Sequence, residues 1–239
     1  MESENGEWRV YGIPDSDPNC VKSFEALIDR INEIGFLPLF KNDIKGFSVE
    51  EMTNPNYWWT EHERDPWLWR ELIARSGMIA YGKLFGKRAG FISLKWLPYF
   101  VNFRRDGYDF DSRWEDGKAT SRQKLIMELF MEGQELFSYE AKRMAGFGKG
   151  GEKNFEGVLT ELQMQTYLVT KDFRQRCNKS GNPYGWKIAV YSSPEAIWGY
   201  DAVTAAYNEA PEDSFQRILK HLAELYPDTE ERLLKKLLR

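Results

Sequence analysis

The order of patterns in the middle of the chain constrains its fold more than any other feature. Thr120 and Gln123 have the spacing of a capping box, ahead of an apolar helical pattern. A second, short helical pattern covers 139–144, and a glycine-rich turn at 146–151 leads into a third at about 153–165. Three helical patterns this close together, with a tight turn between the last two, predict a helix-turn-helix arrangement.

Two β-rich runs follow these helices. They cover 167–173 and 184–191 and flank a basic loop at 174–183, in which Ser-Gly-Asn at 180–182 forms the turn. Helices followed by such a hairpin are the order of a winged helix-turn-helix. In that motif the second helix of the pair lies in the major groove of DNA, while the hairpin is placed to reach an adjacent groove or the backbone. The middle segment therefore predicts duplex binding.

The rest of the chain predicts a related architecture. Seven of the nine tryptophans lie within the first 114 residues, and a polar stretch with two Asp-Gly turn signals separates them from the middle segment. We predict an α+β fold, mostly helical, with a tandem winged helix-turn-helix architecture and small β-hairpin wings. The predicted division is a Trp-rich winged-helix-like domain at 1–104, a linker at 105–120, a central winged helix-turn-helix at 121–198 and a C-terminal helical segment at 199–239.

Composition excludes several classes of protein. Hydrophobic residues make up 42% of the 239 residues, and this much apolar surface excludes an intrinsically disordered chain. No apolar run approaches the roughly 20 residues needed to cross a bilayer, and the first eight residues lack the pattern of a secretory signal. Cys20 and Cys177 form no CxxC pair, and His62 and His221 are isolated. These features predict a cytoplasmic protein without metal, cofactor or membrane contact.

The charge is distributed unevenly. The whole chain carries 33 basic and 37 acidic side chains, a balance that disfavours nucleic-acid binding. Residues 136–190, however, contain nine basic and five acidic side chains, while the segments on both sides are acidic. Because a local patch matters more to binding than the total charge, this segment is the predicted site of contact with a polyanion.

The candidate DNA contacts come from the helix start and the hairpin of this basic segment. Lysines at the helix start can meet phosphates, and Asn154 can pair with an adenine edge. The candidates are Lys149, Lys153, Asn154, Lys171, Arg174, Arg176 and Lys179. Tyr184 and Trp186 either stack on a base or anchor the hairpin strand, and we expect anchoring because alternate apolar residues of a strand usually face the core.

Several short segments follow a recognisable family pattern. They are Trp-Leu-Trp at 67–69, Met-Ile-Ala-Tyr at 78–81, Ala-Gly-Phe-Ile-Ser at 89–93, Trp-Leu-Pro at 96–98, and the pair of segments 153–173 and 186–195. Together they resemble the AlkZ/YcaQ family of winged-helix DNA glycosylases, over about 21–198. The resemblance implies a winged-helix fold and the excision of alkylated or crosslinked bases from DNA.

The chain departs from the catalytic motif that this resemblance implies. In the family, a Gln-x-Asp or Gln-x-Gln motif after the first helix positions the attacking water. Here that place reads Gly-Phe-Leu-Pro-Leu-Phe at 35–40. Pro38 and Phe40 stand where the polar residues are expected, and neither side chain can orient a water. The candidates that remain for a catalytic role are Asp43, Gln163 and Gln165.

Three functions stay open at this point. The leading hypothesis is a protein that binds double-stranded DNA and is related to AlkZ-type glycosylases in DNA repair, with base excision as its reaction if it is an enzyme. The runner-up is a transcription regulator whose N-terminal half binds a small ligand and whose middle segment binds an operator. In the third hypothesis the middle segment makes only protein contacts. The leading hypothesis requires that the hairpin and its neighbouring helix form one basic surface.

Overall fold

The structure is a computed structural model that describes residues 2–4 and 7–239, with side chains from Val10 onward. The chain divides into two compact units, each described here by itself. The first unit comprises Met1–Leu97 and Gln216–Arg239, and the second comprises Pro98–Phe215. In the described part, no helix is long and apolar enough to cross a membrane.

Helices alternate with small antiparallel sheets along the chain. In chain order the strands and α-helices are β1 (Glu2–Glu4), β2 (Glu7–Arg9), α1 (Phe24–Ile34), β3 (Phe36–Pro38), α2 (Pro66–Ser76), β4 (Ile79–Phe85), β5 (Arg88–Ser93), α3 (Leu97–Arg105), α4 (Phe110–Glu115), α5 (Ser121–Met127), β6 (Leu136–Phe137), α6 (Ser138–Met144), α7 (Phe155–Met164), β7 (Val169–Cys177), β8 (Pro183–Ser192), α8 (Pro194–Trp198), α9 (Tyr200–Val203), α10 (Pro211–Leu225) and α11 (Glu231–Leu238). Two short 3-10 helices, Glu50–Met52 and Pro55–Tyr57, lie between β3 and α2. The predicted mixture of helices and small β-hairpins is confirmed, whereas the winged-helix architecture stays a prediction.

In the first unit, a helix leads directly into the edge of a sheet. Helix α1 ends at Gly35, whose φ of 96° suits glycine, and a Cβ there would lie 2.6 Å from the Trp96 ring. Strand β3 follows at once and pairs with β5, which also pairs with β4, so the sheet order is β3-β5-β4. Pro38 therefore lies on an edge strand, where its missing N–H costs no ladder bond.

In the second unit, three helices pack around one hydrophobic core. The predicted capping box at the start of α5 is confirmed, because Thr120 Oγ1 accepts from the Gln123 N–H and Gln123 Oε1 accepts from the Thr120 N–H. Apolar side chains of α5, α6 and α7 fill the core: Ile126, Met127, Ala141, Phe155, Val158, Leu159 and Leu162. The predicted linker at 105–120 includes α4, and Phe110 of that helix belongs to the same core.

The hairpin of the second unit is longer than the sequence predicts. Strands β7 and β8 pair as far as Cys177 and Pro183, so the loop between them covers only 178–182 instead of 174–183. Arg174 and Arg176 consequently lie on β7, paired with Ile188 and Tyr184. The physical reason is that cross-strand pairing continues past the core, where the backbones still satisfy each other's hydrogen bonds.

The two units share a strand order, but the second unit has one more α-helix before its hairpin. In the first unit the order is α1, β3, α2, β4, β5, and in the second it is α5, β6, α6, α7, β7, β8. In each unit the short strand pairs with the last strand of the hairpin, as the orders β3-β5-β4 and β6-β8-β7 record. The similarity lies in the strand order and is not visible as a repeat in the sequence.

Candidate nucleic-acid interface

The glycine-rich turn between α6 and α7 has a shape that requires its glycines. Gly146, Gly148 and Gly150 have φ values of 75°, 151° and 82°, which residues other than glycine rarely adopt. A Cβ at Gly151 would lie 2.2 Å from the carbonyl oxygen of Gly146. Buried Phe147 holds the turn against the core. The turn is therefore compact, and its glycines let a ligand approach the backbone closely.

A cavity of about 450 Å³ opens between this turn and α6. Three cationic side chains line it, Lys142 and Arg143 from α6 and Lys149 from the turn, together with Tyr139. All three cations are exposed, and none of them forms an ion pair or a side-chain hydrogen bond with any described residue. Their charge is therefore available to an anion.

Nearby carboxylates are engaged elsewhere. Glu140 accepts a hydrogen bond from the Phe137 N–H at the start of α6, 3.2 Å away. Glu152 forms an ion pair with Arg122, with 2.6 Å between Oε2 and Nε. Neither carboxylate lines the cavity, so the local potential is set by its cations.

The hairpin adjoins this cavity through Arg176. Its guanidinium carbon lies 4.3 Å from the centre of the Tyr139 ring, a cation–π contact. Tyr139 in turn stacks on Phe137, with 5.3 Å between ring centres. Strand β7, helix α6 and the glycine turn thus contribute cations to one region. We call Lys142, Arg143, Lys149 and Arg176 the basic cluster.

Arg174 differs from its neighbour on the same strand. Its Nε lies 2.7 Å from Asp172 Oδ2, and its Nη2 lies 2.6 Å from Glu135 Oε2. The hydrogen bonds that Arg174 donates to Asp172 and to Glu135 raise the pKa of Arg174. Two carboxylates therefore compensate the charge of this predicted contact.

The remaining predicted contacts occupy two places. Asn154 precedes α7 with a φ of 66°, its amide lies over Gly157, and Lys153 beside it is exposed. The Asn154 side chain makes no capping hydrogen bond, so its amide is free to meet a base or a phosphate. Lys171 is half-buried on β7, and Lys179 is exposed in the hairpin loop.

The expectation that Tyr184 and Trp186 anchor the hairpin is wrong. Their side chains are 50% and 89% exposed. The physical reason is the length of the hairpin, because the first five residues of β8 extend beyond the core and have no apolar surface to pack on. The period-2 pattern indicates an inward face only where a core lies beneath the strand.

The three catalytic candidates lie in two different units. Asp43, in the first unit, forms an ion pair with Lys236 at 2.7 Å, and the hydrogen bond from that lysine lowers the pKa of Asp43. Gln163 is 1% exposed and donates to the Leu159 carbonyl oxygen, whereas Gln165 accepts from Gln123 Nε2 at 3.1 Å. All three side chains are thus occupied within the protein.

The positions of the absent motif are filled by packing residues. Pro38 lies on the edge strand β3, and the Phe40 ring packs on Trp58 and Trp67, with 5.7 and 6.2 Å between ring centres. No cluster of three or more side chains suited to a metal ion exists among the described residues.

Sequence reasoning missed two members of the basic cluster. Lys142 and Arg143 follow Tyr139 by three and four residues on α6, so all three share one face of that helix. This spacing is the sequence signal that indicates a basic face on α6.

The comparisons with known proteins agree with the resemblance noted in the sequence. A family model described as AlkZ related matches residues 21–239. Comparison with curated proteins gives no match, and comparison with solved structures gives none either. Since the family model covers most of the chain, this protein belongs to the AlkZ-related family.

Proposed function

We propose that this protein binds double-stranded DNA through its second unit. One observation carries the proposal: the uncompensated cations Lys142, Arg143 and Lys149 surround one cavity, and Arg176 of the hairpin adjoins it. Cations at this density displace the counterions of a phosphate backbone, which is the main source of affinity in sequence-independent DNA binding. A compact glycine turn adds close approach of the protein backbone.

The topology supports a winged-helix interpretation of this surface. The order α5, β6, α6, α7, β7, β8, with β8 in the middle of the sheet, is that of a winged helix-turn-helix. Helix α7 is then the recognition helix, with Asn154 at its start, and the β7–β8 hairpin is the wing. The first unit has one α-helix fewer before its hairpin, but its sheet has the same strand order, and this shared order supports the tandem architecture.

We propose DNA binding in the context of DNA repair, which the AlkZ-related family suggests, and we do not propose base excision. A base-excision enzyme needs a group that activates water. Asp43 is held by Lys236 and Gln163 is buried, so neither supports such a role. Binding requires only the basic cluster and the surrounding backbone.

The test is a salt titration of labelled duplex DNA with the full chain. We expect the triple variant Lys142→Ala, Arg143→Ala, Lys149→Ala to bind at least about 10-fold more weakly at 0.1 M salt. The slope of log affinity against log salt should fall by about 2 to 3, because each lost phosphate contact removes roughly one from it.

A matched control separates this cluster from net charge. Lys22, Lys45 and Lys95 are exposed lysines of the first unit, and none forms an ion pair with a described residue. Their triple alanine variant has the same net charge as the test variant and should keep the wild-type affinity within about 2-fold. Equal losses in the two variants, or no binding by the wild type at 50 mM salt, would contradict the proposal.

A further inference from the structure

The wing-like hairpin contains a β-bulge. Arg174 pairs with Ile188 and Arg176 pairs with Tyr184, so Gln175 alone stands opposite the three residues 185–187 of β8. Gly185 has a φ of 72°, and Gln175 Nε2 donates to its carbonyl oxygen at 2.7 Å. Bulges of this kind redirect a side chain away from the regular ladder.

The side chain in the middle of the bulge is Trp186, which is 89% exposed. A tryptophan this exposed is unusual, because its indole buries a large apolar area wherever the fold allows it. Tyr184, two residues earlier, is half exposed. The hairpin therefore presents a planar apolar surface that does not pack in the core of the protein.

The charged residues near Trp186 in the sequence indicate which class of partner its indole suits. No carboxylate occurs between Phe173 and Ser192, whereas that stretch contains Arg176 and two lysines in addition to the ion-paired Arg174. Arg176, paired with Tyr184, belongs to the basic cluster already assigned to phosphates. A ligand that combines negative charge with flat aromatic faces is a nucleic acid.

We infer that Trp186 stacks on an unpaired or unstacked nucleobase, so that the hairpin favours duplex DNA containing a locally unpaired base. In a regular duplex both faces of each base are covered by its neighbours. A single bulged base exposes a face that the indole can cover. Such stacking does not depend on which base is unpaired, because each of the four bases has a flat aromatic face. This inference rests on the proposed function.

The experiment compares two duplexes of the same sequence, one fully paired and one with a single bulged 2-aminopurine, both titrated with the full chain. The wild type should bind the bulged duplex at least about 5-fold more tightly, the effect of one stacked base. Trp186→Ala should abolish this preference and leave the affinity for paired duplex within about 2-fold. Trp186→Phe should retain most of the preference. Quenching of 2-aminopurine fluorescence should accompany binding by the wild type and disappear in Trp186→Ala.

Trp59→Ala is the matched control, since Trp59 is a partly exposed tryptophan of the first unit. It should keep the preference. If the wild type binds both duplexes equally, or if Trp186→Ala keeps the preference, the inference is wrong, and the indole then suits a protein partner better. In that case paired-duplex binding that depends on the basic cluster still supports the proposed function. Absence of binding to either duplex contradicts both.

Discussion

The two units share a strand order, but their hairpins differ in burial. In the first unit, six of the seven residues of β4 are buried, and only two residues connect β4 to β5. In the second unit, the last four residues of β7 and the first five of β8 are exposed. One hairpin is thus part of a core, whereas the other extends from its core as an arm. The same strand order therefore gives a buried hairpin in the first unit and a solvent-exposed hairpin in the second.

Side-chain composition explains this difference. Beyond its first residues, β4 carries Leu84 and Phe85, and the Phe85 ring stacks on Phe36 with 6.1 Å between centres. At the corresponding part of β7 the chain reads Arg-Gln-Arg. The apolar side chains of the first hairpin pack in the core of its unit, because removing their surface from water stabilises the fold. Cationic side chains keep the second hairpin in water, because their charge would be costly to bury.

The largest expected effect tests this contrast directly. Phe85 is 1% exposed near the end of the first hairpin, so Phe85→Ala should lower the free energy of unfolding by about 3–5 kcal/mol. Trp186→Ala, at the end of the other hairpin, should change it by less than about 0.5 kcal/mol. Urea unfolding of both variants measures the difference. Similar losses in the two variants would mean that the second hairpin also packs on a core.

An intermediate effect separates two neighbouring arginines of the exposed hairpin. Arg176→Ala should weaken duplex binding by about 5-fold and lower the salt slope by about 1. Arg174→Ala should weaken it by less than about 2-fold, because Asp172 and Glu135 already compensate that charge. Fluorescence anisotropy at 0.1 M salt gives both values. Equal effects would show that the carboxylates release Arg174 when DNA binds.

The smallest effect concerns a half-buried tyrosine of the first unit. Burial raises the pKa of Tyr226 from 10.0 to about 12, and its ring lies 4.9 Å from that of Phe47. Between these two pH values the unfolded chain releases the phenol proton while the folded chain retains it. Stability therefore falls as pH rises through this range.

Tyr226→Phe should lose less stability than the wild type between pH 10 and pH 12, although it starts lower because the hydrogen bond to the Gly46 carbonyl oxygen is lost. Urea midpoints at pH 8, 10 and 11.5 test this expectation. A Tyr226→Phe profile parallel to the wild type would exclude this tyrosine as the cause.

Local features of the fold were predictable from the sequence. The capping box at Thr120 and the end of α1 at Gly35 depend on groups three or four residues apart, so the pattern contains all the needed information. Helix α1 begins after Ser23, which caps it, and not after Asn19, whose residue type also suits an N-cap. The Val21 N–H donates to the Met52 carbonyl oxygen, and this contact, 31 residues away in sequence, keeps residues 20–22 out of the helix.

The sequence by itself determined the helices, the turns and the basic segment, because caps, periodicity and charge content act over a few neighbouring residues. Only the tertiary structure decided which charges stay free. Arg174 and Glu135 are 39 residues apart, and the contact of Arg176 with Tyr139 spans 37. It also decided that Trp186 faces water, since a strand pattern does not reveal where the core beneath it ends. Ion pairing and burial depend on distances between remote parts of the chain, and folding alone sets those distances.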